Sequence, residues 1–414
     1  MLSLPIKFWR VSKNIILVLS SVFLVFGLVF LADRLIFSYP VWIFSVKKIP
    51  IIFPPYSEEE FISKDFRYKV KINSIGLRNG ELSIPKPKNV FRIAVIGDSY
   101  TYGWGVEEEQ TWVRLLESKI KIVGKYVEVV NMGKPGADLE DYLEIARVGI
   151  PVVEPDLVIL ALLQGDDLHS FSSEGLLSED TVYRLMNFLF PNISRRVTQY
   201  LLFKKLSSEA KAMSPLKNSA DKNRISAKNS AIEILKGFTE DEKKRFELLD
   251  EEIKDAFKEG LLNPFLVYVA VKYPDTLLSP FSEQRFSCQP NFETALKIVK
   301  KIKEISESAG AKLIVFSVPQ SFYVNEHAFN TAKRLGFNVI EEMLSSDKVD
   351  EPAMEISNYA ELPCIFITEE MRKYKNRPDL FYPLDMHPTP EGHKLIADNL
   401  APKLQEVLER FYGN

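Results

Sequence analysis

The sequence contains few cysteines and histidines, and this scarcity excludes several kinds of site. Its 414 residues include two cysteines, Cys288 and Cys364, and four histidines. Two cysteines cannot build a disulfide framework, and neither residue type recurs at a spacing typical of zinc. Glycine-rich phosphate-binding loops and internal repeats are also missing. The net charge of −3 gives no reason to expect a nucleic-acid partner. We therefore predict no metal, no cofactor and no nucleic-acid partner.

Charged residues are absent from residues 15–32, an apolar run near the amino terminus. As a helix this run would be roughly 27 Å long, enough for a bilayer core. Lys7, Arg10 and Lys13 precede it and favour a cytoplasmic amino terminus. A cleaved signal peptide and a buried core helix are the alternatives, but a good cleavage site and an amphipathic stripe are both missing. We predict an uncleaved single-pass anchor within residues 1–34, with the remaining chain in the periplasm or outside the cell.

Prolines and lysines interrupt the apolar segment that follows, so residues 35–90 are predicted to be a membrane-proximal connector. From residue 91, strand and helix patterns alternate, which predicts a parallel sheet with helices on both faces. The fold class is therefore α/β, a flavodoxin-like three-layer α/β/α domain over residues 91–414. The predicted strands, about five in number, cover residues 91–96, 126–132, 156–163, 312–318 and 362–367.

A long segment between the third and fourth strands breaks this alternation, and we predict a helical insertion over residues 167–290. Its helical patterns cover residues 181–189, 194–206, 241–258 and 264–272, and the polar stretch 217–230 predicts a mobile loop. Because the insertion leaves the sheet directly after the third strand, we expect it to form a lid over any site at that edge.

A serine follows the first strand directly. Gly97 ends the strand at a tight turn, and Asp98 and Ser99 come next. A serine on a strand-to-helix turn is well placed as a nucleophile, because its hydroxyl projects from the sheet edge and its N–H can face an oxyanion. Alternatively, Ser99 only satisfies donors at the start of a helix, since motifs this short also occur by chance.

Three more polar stretches lie at predicted sheet edges, where sites of open α/β sheets gather. They are residues 131–136 after the second strand, 164–168 after the third, and 385–393 before the last helix. A serine hydrolase needs a nucleophile, an imidazole base, a group that orients the imidazole, and oxyanion donors. Together with the Ser99 turn, these stretches supply candidates for all four.

These stretches resemble the motifs of the SGNH (GDSL) hydrolase superfamily, in the same order along the chain. The matching blocks are Gly97-Asp98-Ser99, Gly136, Gly165-Asp166-Asp167 and Asp385-x-His387-Pro388, and residues 73–78 resemble a stretch of membrane-anchored bacterial members. The resemblance implies that Ser99 is the nucleophile, His387 the general base and then acid, and Asp385 the group that orients His387. It also implies oxyanion donation by the N–H groups of Ser99 and Gly136.

Two departures from the family pattern concern the oxyanion donors and the triad spacing. The position that usually carries a donating asparagine is Asp166, and an ionised carboxylate repels a developing oxyanion. Either burial keeps Asp166 protonated, or Gln164 replaces it as donor, or the ester chemistry is weakened. One residue instead of two separates Asp385 from His387, a change that a loop can absorb.

The resemblance implies a membrane-anchored serine esterase that removes O-acetyl or another short acyl group from a cell-envelope glycan or lipid. An O-acyltransferase would use the same residues, with a sugar hydroxyl in place of water. A non-catalytic envelope-binding module is a third hypothesis, which Asp166 favours and the complete Ser99, His387 and Asp385 set opposes. A binding domain with a chance motif would require all four blocks to coincide. The oligomeric state is not predicted.

Overall fold

The computed structural model describes residues 4–35, 50–168, 189, 190, 193 and 219–413. The chain divides into two compact units, residues 1–49 with 174–209 and residues 50–173 with 210–414. The first unit contains helix α1, Leu4–Leu35, so the run 15–32 is helical. Among the helices of the described residues, however, none combines the length and the apolar character that a bilayer crossing requires.

The second unit is organised around a five-stranded parallel sheet. The strands of the unit are β1 (Glu58–Ile62), β2 (Arg67–Lys71), β3 (Val90–Gly97), β4 (Tyr126–Gly133), β5 (Leu157–Leu163), β6 (Lys312–Val318) and β7 (Cys364–Phe366). The first two form an antiparallel hairpin, and the other five follow the order β4-β3-β5-β6-β7. This is the flavodoxin-like order, and the predicted parallel sheet is confirmed.

Helices cover both faces of this sheet. Along the chain they are α2 (Ser99–Tyr102), α3 (Trp112–Glu117), α4 (Leu139–Val153), α5 (Ser219–Gly237), α6 (Glu240–Glu247), α7 (Glu251–Lys258), α8 (Pro264–Lys272), α9 (Phe292–Ser308), α10 (Ser321–Val324), α11 (Glu326–Arg334), α12 (Glu351–Ala360), α13 (Thr368–Arg372) and α14 (Pro390–Tyr412). Helices α3 and α14 share a core cluster with Ile93 and Val95. Because β3 alternates its side chains between faces, Ala94 and Ile96 point to the opposite layer, where α4 contacts both β3 and α9.

The described part of the predicted insertion is helical. The predicted mobile loop over residues 217–230 is wrong for residues 219–230, which begin α5. Asn223 holds this helix to the hairpin by donating to the Glu60 carbonyl at 2.9 Å. The predicted helix 241–258 is two helices, because Asp250 caps the start of α7. The helix predicted at 264–272 is confirmed, whereas those predicted at 181–189 and 194–206 lie outside the described residues apart from residue 189.

Residues 58–79, which the sequence assigns to a connector, form regular structure instead. They form the β1–β2 hairpin and a buried turn that belong to the same compact unit as the sheet. The Asn73 carboxamide oxygen accepts the N–H groups of Ile75 and Leu77 at 3.1 and 3.0 Å. Gly76 adopts φ 83°, a left-handed conformation that favours glycine. This turn carries Arg78 into the interior.

Candidate active site

The candidate nucleophile stands at the first position of α2, directly beyond the carboxyl end of β3. Asp98 caps this helix by accepting the Tyr100 N–H at 2.9 Å. A Cβ at Gly97 would lie 2.2 Å from Thr101 Oγ1, so only glycine allows the strand to turn into the helix here. The turn leaves Ser99 half-buried, at the edge of the sheet.

The three residues predicted as a catalytic triad lie in one hydrogen-bonded row. Ser99 Oγ is 2.8 Å from His387 Nε2, and His387 Nδ1 is 2.5 Å from Asp385 Oδ1. Asp98 Oδ2 lies 3.3 Å from Ser99 Oγ. The hydroxyl has one proton to donate, and the shorter contact directs it to the imidazole. The arrangement is that of a serine nucleophile, its base and an orienting carboxylate.

The short spacing between Asp385 and His387 is accommodated by backbone conformation. Met386, the single residue between them, has φ 64°, which is uncommon for a residue other than glycine. The Tyr100 hydroxyl donates to the Met386 carbonyl at 3.2 Å. On the other side, Asp65 Oδ2 accepts the N–H groups of Leu384 and Asp385 at 2.7 and 2.8 Å. Asp65, from the turn of the hairpin, therefore positions the loop that carries the triad carboxylate.

The protonation of His387 depends on two opposing effects. Burial is the largest single effect and lowers the pKa of His387, but the charge and hydrogen bonds of Asp385 and the charge of Asp98 all raise this pKa. The net shift is upward. A raised pKa makes the imidazole a stronger base toward the Ser99 hydroxyl once the ring is neutral.

Arg78 supports the backbone that follows the nucleophile. Its guanidinium is buried and donates to the carbonyls of Tyr102 at 3.0 Å, Gly103 at 2.7 Å and Val106. The guanidinium also lies over the rings of Tyr68 and Tyr102, 5.2 and 4.7 Å from their centroids. A planar, always charged group with several donors suits this cluster of carbonyls. The motif at residues 73–78 thus has a structural role next to Ser99.

The stretch after β4 lies against the same turn. The Asn131 side chain donates to the Thr101 carbonyl at 2.9 Å and accepts the Gly133 N–H at 2.9 Å. A Cβ at Gly133 would lie 2.3 Å from the Tyr102 nitrogen, so glycine is needed for this close approach. Gly136 lies farther along, exposed in a turn with φ 69°. Its role as an oxyanion donor remains a prediction.

Gln164 does not fit the oxyanion role that the sequence suggests as one option. Its Nε2 donates to Asp350 and Thr368, at 2.7 Å in each case. Its Oε1 accepts the Gln320 N–H at 3.2 Å. Both ends of the carboxamide are therefore committed to bonds that join the end of β5 to the starts of α10, α12 and α13, and no donor is left for an oxyanion.

Three carboxylates, those of Asp98, Asp166 and Asp167, lie close together near the turn that carries Ser99. Asp167 Oδ2 accepts the Tyr142 hydroxyl at 2.9 Å and the Leu163 N–H at 2.7 Å. Burial, followed by the charges of Asp98 and Asp166, raises the pKa of Asp167 well above its ordinary value. Burial and the Asp166 charge also raise the pKa of Asp98 to about 6. The half-buried Asp166 is thus close enough to act on the residue that braces Ser99.

Two other histidines, His393 and His327, are not part of this row. His393 is fully buried, and its Nδ1 accepts the Trp112 N–H at 3.2 Å. Burial, helped by the charge of Arg78, lowers the pKa of His393 to about 3, so this ring is neutral and packs in the core. His327 Nε2 lies 3.3 Å from the Asn376 carbonyl, at the surface. His169 lies outside the described residues.

Comparison with known proteins gives structural neighbours only. No protein-family model matches the chain, and no curated protein matches it either. Similar solved structures include a member of the lipolytic G-D-S-L family from Veillonella parvula, with 12% identity, coverage of 75% of this chain and 97% of that chain, and a TM-score of 0.32. Esterase EstA from Pseudoalteromonas sp. shows 12% identity, 77% and 98% coverage and a TM-score of 0.34.

A further solved structure, the acetyl xylan esterase AlAXEase, shows 11% identity, coverage of 76% of this chain and 100% of that chain, and a TM-score of 0.35. These neighbours are GDSL-type hydrolases and esterases. Identities and TM-scores this low carry no weight for the activity of this chain. The functional assignment therefore depends on the residues themselves and on the hydrogen-bonded row of Ser99, His387 and Asp385.

Proposed function

We propose that this protein is a serine esterase that acts through an acyl-serine intermediate. The observation that supports this is the continuous row from Asp385 through His387 to Ser99, with contacts of 2.5 and 2.8 Å. Ser99 Oγ attacks the ester carbonyl while His387 Nε2 takes its proton. His387 then returns this proton to the leaving alcohol. Water, deprotonated by His387, attacks the acyl-serine and releases the acid.

The oxyanion of each tetrahedral intermediate needs donors. We propose the N–H groups of Ser99 and Gly136 for this role, on the basis of the family resemblance. Asp166 can contribute only if it carries a proton. Burial, followed by neighbouring carboxylate charges, raises the pKa of its neighbours Asp98 and Asp167. The carboxamide of Gln164 is already hydrogen-bonded within the protein. The proposed oxyanion donors are therefore at least the two backbone N–H groups of Ser99 and Gly136.

The proposed substrate is an O-acyl ester of a cell-envelope glycan or lipid. This follows from the resemblance to envelope members of the family and from the predicted anchor over residues 15–32. Periplasmic or extracellular placement of the site is part of the same proposal. Extraction of membranes with carbonate tests it, since a chain recovered entirely in the soluble fraction would contradict anchoring.

An O-acyltransferase is the second candidate, because the same acyl-serine can pass its acyl group to a sugar hydroxyl. A non-catalytic binding module is the third, and the presence of Asp166 at the usual asparagine position is the observation in its favour. Addition of an alcohol acceptor during turnover distinguishes the first two, since a transferase forms a new ester and an esterase forms free acid.

The decisive experiment combines labelling and turnover. The full chain is treated with a fluorophosphonate probe and assayed with p-nitrophenyl acetate, beside Ser99→Ala. Ser118→Ala, which replaces an exposed serine, provides a matched control. We expect labelling and turnover in the native protein and in the control, and neither in Ser99→Ala. A folded native protein that shows neither would favour the binding module.

A further inference from the structure

A cavity of about 520 Å³ lies beside Asp385 of the triad, between the hairpin and the described part of the insertion. Strand β1 and the hairpin turn form one wall, and α5 with residues 260–265 forms the other. Side chains from both walls line it, including Phe61, Phe66, Trp104, Ile234, Leu261 and Phe265. Its volume is in the range of small-molecule pockets. The insertion therefore contributes a binding space that the sheet alone does not have.

Trp104 connects this cavity to the nucleophile. Its backbone N–H donates to the Ser99 carbonyl at 3.0 Å, and the centroid of its indole ring lies 6.4 Å from that of the His387 ring. The same side chain lines the cavity, as does Asp385. Trp104 therefore contacts the residue that would carry the acyl group and also lines the cavity.

The insertion reaches the same end of the sheet as the triad at two further points. Leu261 accepts the Lys64 N–H at 2.8 Å, next to Asp65. Ser279 donates to the Gly165 carbonyl at 3.1 Å, directly after β5. These contacts fix the far wall of the cavity relative to the loops that carry the site residues.

Several polar groups of the cavity wall bind the protein itself, although Trp104 Nε1 is a buried donor without a partner among the described residues. The Asn223 amide donates to the Glu60 carbonyl at 2.9 Å, and the Asn263 side-chain oxygen accepts the Phe265 N–H at 3.0 Å. Ser63 Oγ accepts the N–H groups of two following residues. A sugar ring requires free polar partners for its hydroxyls, whereas an aliphatic chain requires apolar contact alone.

We propose that this cavity binds the aliphatic chain of the acyl group, and that the preferred substrates carry acyl chains longer than acetyl. The inference rests on the proposed esterase function and names the acyl specificity of that site. The ester carbonyl lies at Ser99, and the chain extends past Trp104 between Phe61, Phe66 and Leu261. The acetyl preference expected from the sequence is replaced by a medium-length acyl preference.

The test compares p-nitrophenyl acetate, butyrate and octanoate with the full chain. Burial of each methylene is expected to raise kcat/KM about fourfold, so octanoate exceeds acetate by well over tenfold. Ala227→Phe places a ring in the cavity from α5 and lowers the ratio of octanoate turnover to acetate turnover at least tenfold. Asn229→Phe on the same helix, exposed and outside the cavity lining, leaves this ratio unchanged. Acetate turnover equal to octanoate turnover, or no effect of Ala227→Phe, overturns the proposal.

A binding measurement separates this proposal from the esterase function. Brominated dodecanoate quenches tryptophan fluorescence on contact, and Trp104 is one of four tryptophans. We expect quenching in the native protein and in Ser99→Ala, and its loss in Trp104→Phe and Ala227→Phe. Quenching with this pattern in a protein without Ser99-dependent turnover supports the acyl cavity and refutes the esterase. Turnover without any quenching refutes the acyl cavity and leaves the esterase standing.

Discussion

Replacement of Asp385 by asparagine tests the catalytic row at its most buried member. Asp385 is 5% exposed, and its carboxylate accepts from His387 Nδ1 at 2.5 Å. That contact keeps the ring proton on Nδ1, so the lone pair of Nε2 faces Ser99. In Asp385→Asn the side-chain amide is able to donate to Nδ1 instead, which moves the ring proton to Nε2 and blocks the base. We expect turnover of p-nitrophenyl esters to fall by about 10²–10⁴, as for such tautomer errors in other triads.

The same substitution has a second signature in the pH profile. In the proposed reaction His387 acts as a base only when neutral, so we expect kcat/KM of the native protein to rise with pH through the pKa of His387. Because Asp385 raises this pKa above the ordinary 6.5, the acidic limb lies above that pH. Without the charge, burial lowers the pKa, so the limb of Asp385→Asn moves to lower pH. The control is Asp379→Asn, which replaces an exposed carboxylate paired with Arg377. We expect this control to change neither the turnover nor the position of the acidic limb. Unchanged turnover and an unmoved limb in Asp385→Asn would refute the assignment of the triad.

Three further substitutions test the surroundings of the triad. Asp166→Asn replaces a carboxylate with a side chain that can donate to the oxyanion. We expect ester turnover to rise, by up to the factor of about 10²–10³ that one oxyanion donor contributes. Turnover is measured beside labelling of Ser99, and a fall in turnover contradicts this expectation. Asp65→Ala removes the acceptor of two N–H groups and should lower kcat at least tenfold. Asp65→Asn keeps an acceptor oxygen and should recover part of this loss. Equal kcat in both variants would show that Asp65 does not position the loop that carries Asp385. Arg78→Met leaves buried carbonyls without donors, and each loss costs about 1–3 kcal/mol of folding free energy. We therefore expect a lower urea midpoint of unfolding. An unchanged midpoint argues against the support that Arg78 gives to the backbone after Ser99.

The sheet was predictable because its strands are short, apolar and separated by helical patterns. The interior strands β3 and β5 are buried at every position, so their hydrophobic runs are continuous and easy to recognise. Parallel strands also bring their carboxyl ends to one edge. Ser99 follows β3 at this edge, and the family resemblance implied that His387 acts on it; the structure places Ser99 Oγ 2.8 Å from His387 Nε2.

The supporting residues were not predictable from local patterns. Asp65 lies in a hairpin turn, where an aspartate ordinarily serves the turn itself, and its partners are about 320 residues away. Gln164 stands at a sheet edge like a site residue, but its carboxamide satisfies Asp350 and Thr368, which are distant in sequence. Hydrogen-bond partners separated so far along the chain depend on tertiary packing, which no local pattern reveals.

The helix α5 illustrates a different limit. Its first residues are polar and lack aromatics, a composition that predicts a loop. Its apolar contacts are nevertheless sufficient, because Ala231 is buried in a cluster with Phe257 and Val267, and Ile234 packs against that cluster. Tertiary packing thus stabilises a helix whose intrinsic amphipathic pattern is weak.

The hairpin segment changes where the functional domain begins. Residues 50–90 fold with the sheet in one compact unit, although the sequence places the domain boundary at residue 91. This segment contributes Asp65 to the triad loop, Arg78 to the turn after Ser99, and Phe61 to the cavity wall. Each contribution acts on a different part of the proposed reaction: the orientation of the base, the placement of the nucleophile and the binding of the acyl chain. A segment composed like a connector is therefore an integral part of the site.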